Sequence, residues 1–374
     1  MNPVKEIRNY GQSIWLDYIQ RDLILSGELK RLIEADGLRG VTSNPAIFEK
    51  SISGDGRYDA EIKALASRKK NAEEIYDVLS REDIVLAADV FREEYSHSGG
   101  KYGYVSLEVD PHLAYDPQGT VEEARRLWHS LNRPNVMIKI PGTKEGLVAV
   151  EGLTREGMNI NVTLLFGLRR YREVQEAYIA GLEERLKKGE SLSGIQSVAS
   201  FFISRIDNEV DRRLTEIIRD GGEHAEACKS LKGKIAIACA KSVYTMFKEA
   251  FNEERFKRLE EKGALPQRVL WASTSTKNPE ESDVKYVEAL IGPNTINTIP
   301  METLTAYRDH GKPEARLESD LDCWRKYLSD LERVGIDIEE VAAQLEQEGV
   351  LKFTQPHDRL IERLTKRLQA VSKR

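Results

Sequence analysis

Two periodicities share this chain. Short stretches alternate apolar and polar residues, as strands do, and the longer stretches between them repeat apolar residues every three to four positions, as helices do. The alternation predicts strands at 13–17, 39–44, 104–109, 136–140, 159–164, 197–204, 268–274 and 294–299. In 136–140 the residues Val136, Ile138 and Ile140 share one face, Met137 and Lys139 take the other, and Pro141-Gly142 ends the run. Ile14 and Leu16 likewise oppose Trp15 and Asp17, and Val105, Leu107 and Val109 oppose Ser106 and Glu108. Asn161 and Thr163 lie opposite Ile160 and Val162; Ser200, Phe202 and Ser204 share a face, as do Thr295 and Asn297. Helical stripes fill the intervals: Leu29, Leu32 and Ile33 after a cap at Ser26; Ile84, Ala87, Ala88 and Phe91; Val121, Ala124 and Trp128. Further on, Tyr171, Val174, Tyr178 and Leu182 form one stripe and Ile206, Val210, Leu214 and Ile217 another, with helices also predicted at 232–251 and 279–291. Beyond 319 only the helical period remains, through Leu321, Trp324 and Leu328, then Val341 and Leu345, then Leu360, Leu364 and Leu368.

Eight strands separated by helices, with no strand-only region, imply a parallel α/β fold. Strands buried on both faces normally read as continuous apolar runs. Here a polar residue recurs at the C-terminal end of strand after strand, on the face opposite the aliphatics. An open sheet would gather such residues at one switch point, whereas a closed barrel lines its mouth from every strand. The expectation is a (β/α)8 TIM barrel with extra helices over 1–315, and a C-terminal helical extension over 316–374 packed on it.

Composition removes several classes. The charge balance is 56 Lys+Arg against 62 Asp+Glu, a formal −6, and no basic block stands clear of compensating acids, which speaks against nucleic acid. No apolar run reaches membrane-spanning length and the start lacks a signal-type core, so the expected home is the cytoplasm, with no membrane partner. Cys228, Cys239 and Cys323 are too few and scattered for a disulfide framework or a thiolate metal site. The six histidines show no ligand spacing of the H-E-x-x-H kind, so no metal is expected, and neither a Walker loop nor a G-x-G-x-x-G turn is present.

On a barrel, Asp17, Thr42, Asn44, Glu108, Lys139, Asn161, Thr163, Ser200 and Ser273 converge on one mouth. An amine held in apolar surroundings loses hydration, which favours its neutral, nucleophilic form. One amine, two carboxylates and a ring of neutral donors and acceptors suit imine chemistry on a polyhydroxylated carbonyl compound. Arg205, at the rim, suits a phosphate dianion through its planar fork of donors. Blander roles stand beside each of these. A strand-end carboxylate can cap a helix, Arg205 can pair with Asp207 or Asp211, and Ser200 and Ser273 can fill a tapering barrel.

Five blocks carry a family resemblance: Val41-Thr42-Ser43-Asn44-Pro45, Leu107-Glu108-Val109-Asp110, Ile138-Lys139-Ile140-Pro141, Asn161-Val162-Thr163-Leu164-Leu165-Phe166 and Ser200-Phe201-Phe202-Ile203-Ser204-Arg205. In this order and spread the chain resembles transaldolase, and Ala272-Ser273-Thr274-Ser275-Thr276-Lys277-Asn278-Pro279 with the helical extension is similar to the longer-chain bacterial subgroup. The resemblance implies that Lys139 is a Schiff-base lysine, that Glu108 works through a water held by Thr163, and that Asp17 is the base for C–C cleavage. It further implies that Asn44 and Asn161 hold a dihydroxyacetone portion while Ser200 and Arg205 take substrate hydroxyl and phosphate. Thr42 and Ser273 join the substrate-binding set. Where many relatives carry an arginine this chain has Ser275, and Lys277 is the expected replacement charge.

The expected activity is transfer of a dihydroxyacetone unit between sugar phosphates in the pentose phosphate pathway, with no cofactor. Two rivals fit the same residues: a lysine-dependent aldolase releasing free dihydroxyacetone, and a non-catalytic sugar-phosphate-binding barrel. A monomer and a homodimer are both open, and the extension suits a lid over the mouth or a subunit interface.

Overall fold

All eight predicted strands form: β1 Gln12–Asp17, β2 Gly40–Thr42, β3 Tyr104–Glu108, β4 Val136–Pro141, β5 Ile160–Leu165, β6 Ser197–Phe202, β7 Arg268–Ala272 and β8 Thr295–Ile299. In this computed structural model they close in sequence order, each parallel to its neighbours, with β1 pairing both β2 and β8. The structure describes residues 2–54, 56–221 and 223–372, so Lys373 and Arg374 of the expected extension lie outside the described residues, as does Met1. Among the described residues no helix is long and apolar enough to cross a membrane.

Register carries the alternation around the barrel. Asp17 pairs with Thr42, Ser106 with Met137, Glu108 with Lys139, Lys139 with Asn161 and Pro141 with Thr163, so these side chains all face inward. The outward set, Val136, Ile138 and Ile140 among them, is fully buried under the helical ring. Trp15 fills the barrel below Asp17, and Gly40 makes room for it: a Cβ there would stand 2.5 Å from the indole.

Several boundaries shift for identifiable reasons. β2 stops at Thr42 because Asn44 caps the next helix, Pro45–Ile52, its side chain accepting from the Ile47 amide at 3.0 Å. β6 ends at Phe202, and Ser204 opens the helix Ser204–Arg219 instead of extending the strand. The helix predicted at 279–291 is confined to Lys285–Ala289, since Asn278 ties the preceding segment into a turn by accepting from the Glu280 and Glu281 amides. Ser26 does not cap its helix with the expected geometry: the cap of Glu28–Asp36 is Gly27, in the left-handed region.

The C-terminal segment forms two helices, Leu321–Arg333 and Ile338–Ser372. The first packs on the helix Ile235–Asn252, whose Lys241 donates to the Leu317 and Ser319 carbonyls at 3.2 and 2.8 Å. The second crosses the barrel mouth. Its Glu339 caps the helix Leu168–Lys187, accepting from the Leu168 and Arg169 amides at 3.0 and 3.1 Å. Further along, Gly349 lies so close to the end of β5 that a Cβ would stand 3.0 Å from Leu164, and Arg359 forks onto Glu49 at 2.9 and 2.8 Å.

Candidate active site

Lys139 reaches the mouth from β4 with only 5% of its surface exposed. Its Nζ donates to the Ser43 carbonyl at 3.2 Å and stands 3.8 Å from Glu108 Oε2, an ionic contact too long for a hydrogen bond. The Phe353 ring, from the helix Ile338–Ser372, lies with its centroid 5.3 Å from the same nitrogen. The amine is therefore walled by an aromatic face on one side and a carboxylate on the other.

Neither Glu108 oxygen has a hydrogen-bond partner among the described residues. Burial pushes this carboxyl up to about 7; the Lys139 ammonium opposes the rise and the Asp17 carboxylate adds to it. A carboxyl poised near neutrality can both give and take a proton at working pH. Burial also raises the Asp17 pKa, with Lys139 and then the Thr42 hydroxyl opposing. Thr42 Oγ1 donates to Asp17 Oδ1 at 2.7 Å and lies 2.6 Å from Thr298 Oγ1. Since the one Thr42 hydroxyl proton is committed to Asp17, Thr298 must be the donor to Thr42.

A cavity of about 510 Å³ opens above Lys139, lined by Asp17, Thr42, Asn44, Thr163, Ser200, Arg205, Ser273 and Lys277 as well as the lysine. Nine of the eleven sequence-predicted site residues thus meet on one surface. Glu108 and Asn161 are the two that do not line it. Glu108 borders a smaller adjoining cavity of about 120 Å³. Asn161 is sealed in the layer beneath, its Oδ1 accepting from Ser200 at 2.6 Å and its Nδ2 donating to Ser106 at 3.0 Å. Thr163 Oγ1 is buried without a partner among the described residues.

Arg205 sits at the start of Ser204–Arg219, its guanidinium 5.1 Å above the Phe202 ring, with Nη1 buried and lacking an acceptor among the described residues. Desolvation lowers its pKa, against the pull of Asp17 and Glu348. The alternative pairing with Asp207 or Asp211 is not formed. Asp207 accepts from the Ala236 amide and the Tyr286 hydroxyl at 2.7 and 2.8 Å, and Asp211 takes the Gly233 amide at 2.9 Å. Arg205 is thus a cation aimed at the cavity and left without an anion by its own helix. Lys277 is exposed at the rim, 2.9 Å from Ser275 Oγ.

Ser273 reaches the mouth by an unexpected route. On regular β7 it would point outward with Val269 and Trp271, but its φ of 56° ends the strand and turns the side chain toward Ser204, whose Oγ lies 2.9 Å away. Leu164, immediately after Thr163, also carries a positive φ, 62°, where β5 slips register against β6. Such strained backbone persists only where packing imposes it, and it concentrates at functional sites.

Several contributors escaped the sequence pattern, Asn208 and Glu302 among them. Thr298, rather than Thr295 or Asn297, faces inward on β8, because Trp15 pairs with it across the β1–β8 seam. Phe353 and Lys352 come from the C-terminal helix. Phe353 extends the Leu360–Leu364 stripe by two turns, so the periodicity marked it as buried, but nothing local indicated what it would cover.

Comparison with known proteins adds an independent line. A family model described as Transaldolase/Fructose-6-phosphate aldolase matches residues 14–364. The chain is 46% identical over 375 residues to a transaldolase of Trichodesmium erythraeum, covering 99% of each sequence. It is 44% identical to those of Thermobifida fusca, covering 99% of each, and of Thiobacillus denitrificans, covering 96% of this chain and 99% of that one.

Proposed function

The chain belongs to the transaldolase/fructose-6-phosphate aldolase family and is a transaldolase, a transferase of sugar metabolism; from that premise we propose how its own residues carry the reaction. The overall exchange converts sedoheptulose 7-phosphate and glyceraldehyde 3-phosphate to erythrose 4-phosphate and fructose 6-phosphate, as in the pentose phosphate pathway. The residue roles and a cytoplasmic setting are part of the proposal.

Lys139 Nζ attacks the ketone carbon of the donor sugar. Glu108 supplies and removes protons as the carbinolamine loses water, through a water molecule for which its unpaired oxygens and the unpaired Thr163 hydroxyl are the partners. The resulting iminium draws electrons from the adjacent C–C bond. Asp17, steadied by the Thr298–Thr42 hydroxyl chain, takes the proton of the hydroxyl beyond that bond, so the bond breaks and an aldehyde phosphate leaves. The enamine left on Lys139 adds to the incoming aldehyde, and the steps run in reverse. Asn44 faces the dihydroxyacetone portion, and Asn161 serves it through the hydrogen bond that orients Ser200. Arg205, with Ser273 and Lys277 on the same wall, takes the phosphate. The helices beyond residue 315 act as an extension completing the wall of the mouth.

The observation that carries this reading is the buried Lys139 amine facing a cavity between two carboxyls. Reduction with borohydride in the presence of fructose 6-phosphate tests it. Mass spectrometry should find the three-carbon adduct on Lys139, and an unmodified Lys139 would reject the Schiff-base assignment. Free dihydroxyacetone should stay low whether or not erythrose 4-phosphate is supplied; release at the rate of turnover would favour the aldolase reading.

A further inference from the structure

Behind the mouth, two histidines from distant parts of the chain face each other across two carboxylates. Asp110 caps the short helix Pro111–Tyr115 that follows β3, its Oδ1 accepting from the His112 amide at 2.9 Å and lying 2.8 Å from His112 Nδ1. His112 Nε2 is 3.1 Å from Oδ1 of Asp358, on the C-terminal helix. The same Asp358 oxygen is 3.7 Å from Nδ1 of His357. His357 is only 9% exposed, its ring edge-on to Tyr76, and its Nδ1 is buried with no hydrogen-bond partner among the described residues. One ligand atom from each of Asp110, His112 and His357 falls within 4.8 Å of the other two.

This arrangement is incomplete as a purely organic network. With its Nδ1–H given to Asp110, a neutral His112 turns its Nε2 lone pair toward a carboxylate oxygen, an electron-rich contact that needs a cation between the two atoms. A proton on Nε2 relieves that contact but leaves His357 Nδ1 unpartnered. A single metal ion beside the Asp358 oxygen, which lies 3.1 Å from His112 Nε2 and 3.7 Å from His357 Nδ1, satisfies both nitrogens. Bonds of about 2.0–2.1 Å in a tetrahedron separate neighbouring ligand atoms by about 3.4 Å, and the two distances seen here, 3.1 and 3.7 Å, bracket that value. Asp110 then plays the supporting part common to such sites, a carboxylate that fixes the tautomer and aim of a ligating imidazole.

We propose that His112 Nε2, His357 Nδ1 and the Asp358 carboxylate bind a divalent transition metal of the zinc class, with Asp110 orienting His112. Water fills the outer position, which the half-exposed His112 and Asp358 leave open to solvent. The site is separate from the sugar-phosphate chemistry and takes no step in it. Its role is a clamp. It joins the short helix Pro111–Tyr115, whose His112 stands four residues beyond Glu108, to the helix that carries Phe353, one turn before His357, and so fixes both walls of Lys139.

The test uses the full chain, stripped with chelator and titrated with Zn²⁺ near neutral pH. One equivalent should stay bound through gel filtration. At about a hundredfold excess over Kd the melting temperature should rise by about 3 °C. Co²⁺ should give the visible bands of a tetrahedral nitrogen–oxygen site without a thiolate charge-transfer band. His112→Asn should weaken Zn²⁺ binding at least about tenfold, and so should His357→Phe, which keeps a ring against Tyr76. Absence of a stoichiometric ion overturns the proposal, as does undiminished affinity in either variant. If a variant does not fold, the wild-type Co²⁺ spectrum decides, since a thiolate band assigns the metal to the exposed Cys323 instead.

Discussion

Replacing Glu108 by glutamine separates the electrical cost of this carboxyl from its chemistry. In the folded chain burial lifts the group from its ordinary 4.5 to about 7, while the unfolded chain returns it to the ordinary value. The folded state therefore holds the proton more tightly throughout that interval. The contribution of this group to stability is fully present below about 4.5, fades as pH rises, and is lost above about 7. At about 1.4 kcal/mol for each tenfold change in proton affinity, the ionised form carries a penalty of about 3 kcal/mol on the alkaline side. Glu108→Gln has no proton to lose. Whatever constant offset the amide introduces, the stability of the variant relative to wild type should climb by about 3 kcal/mol between about pH 4 and about pH 8.5, read from denaturant unfolding at each pH. Turnover should fall by about 10²–10⁴ because the proton shuttle is gone. A difference in stability that stays flat across the interval would refute the argument that burial dominates the electrostatics of this carboxyl.

Three further outcomes follow from the same geometry. Lys139→Met should abolish turnover and the borohydride adduct while the circular dichroism spectrum and melting temperature stay near wild type; retained activity would end the covalent mechanism. Arg205→Ala should raise KM for the phosphorylated donor by about 10–100-fold, the loss of one charge-assisted phosphate contact, with little change for unphosphorylated dihydroxyacetone donors; an equal effect on both would remove its phosphate role. Gly349→Val should lower the melting temperature and kcat/KM together, because the added carbons meet Leu164 at about the 3.0 Å already reached by a bare Cβ and lift the helix that seats Phe353; an unchanged kcat/KM would mean that this helix does not shape the site.

Much of the site is legible without coordinates because a strand writes its two faces into the sequence. Asp17, Glu108, Lys139, Asn161, Thr163 and Ser200 each stand opposite aliphatics that belong under helices, so closing the barrel brings them inward in the expected register. Period-two alternation is a local property, fixed by backbone geometry, and it survives folding intact. Where the backbone leaves that regularity the pattern misleads. Ser273 enters through a left-handed φ, and the polar pair Thr295 and Asn297 face outward while Thr298 takes the inward place. Residues on the C-terminal helix were beyond reach for a different reason. Its periodicity shows which side is buried, but the partner of that side is chosen by long-range packing. Tertiary structure alone set Phe353 over the Lys139 ammonium and brought His357 to His112. A strand carries its own frame of reference, while a helix docked across a barrel takes its place from the surface it meets.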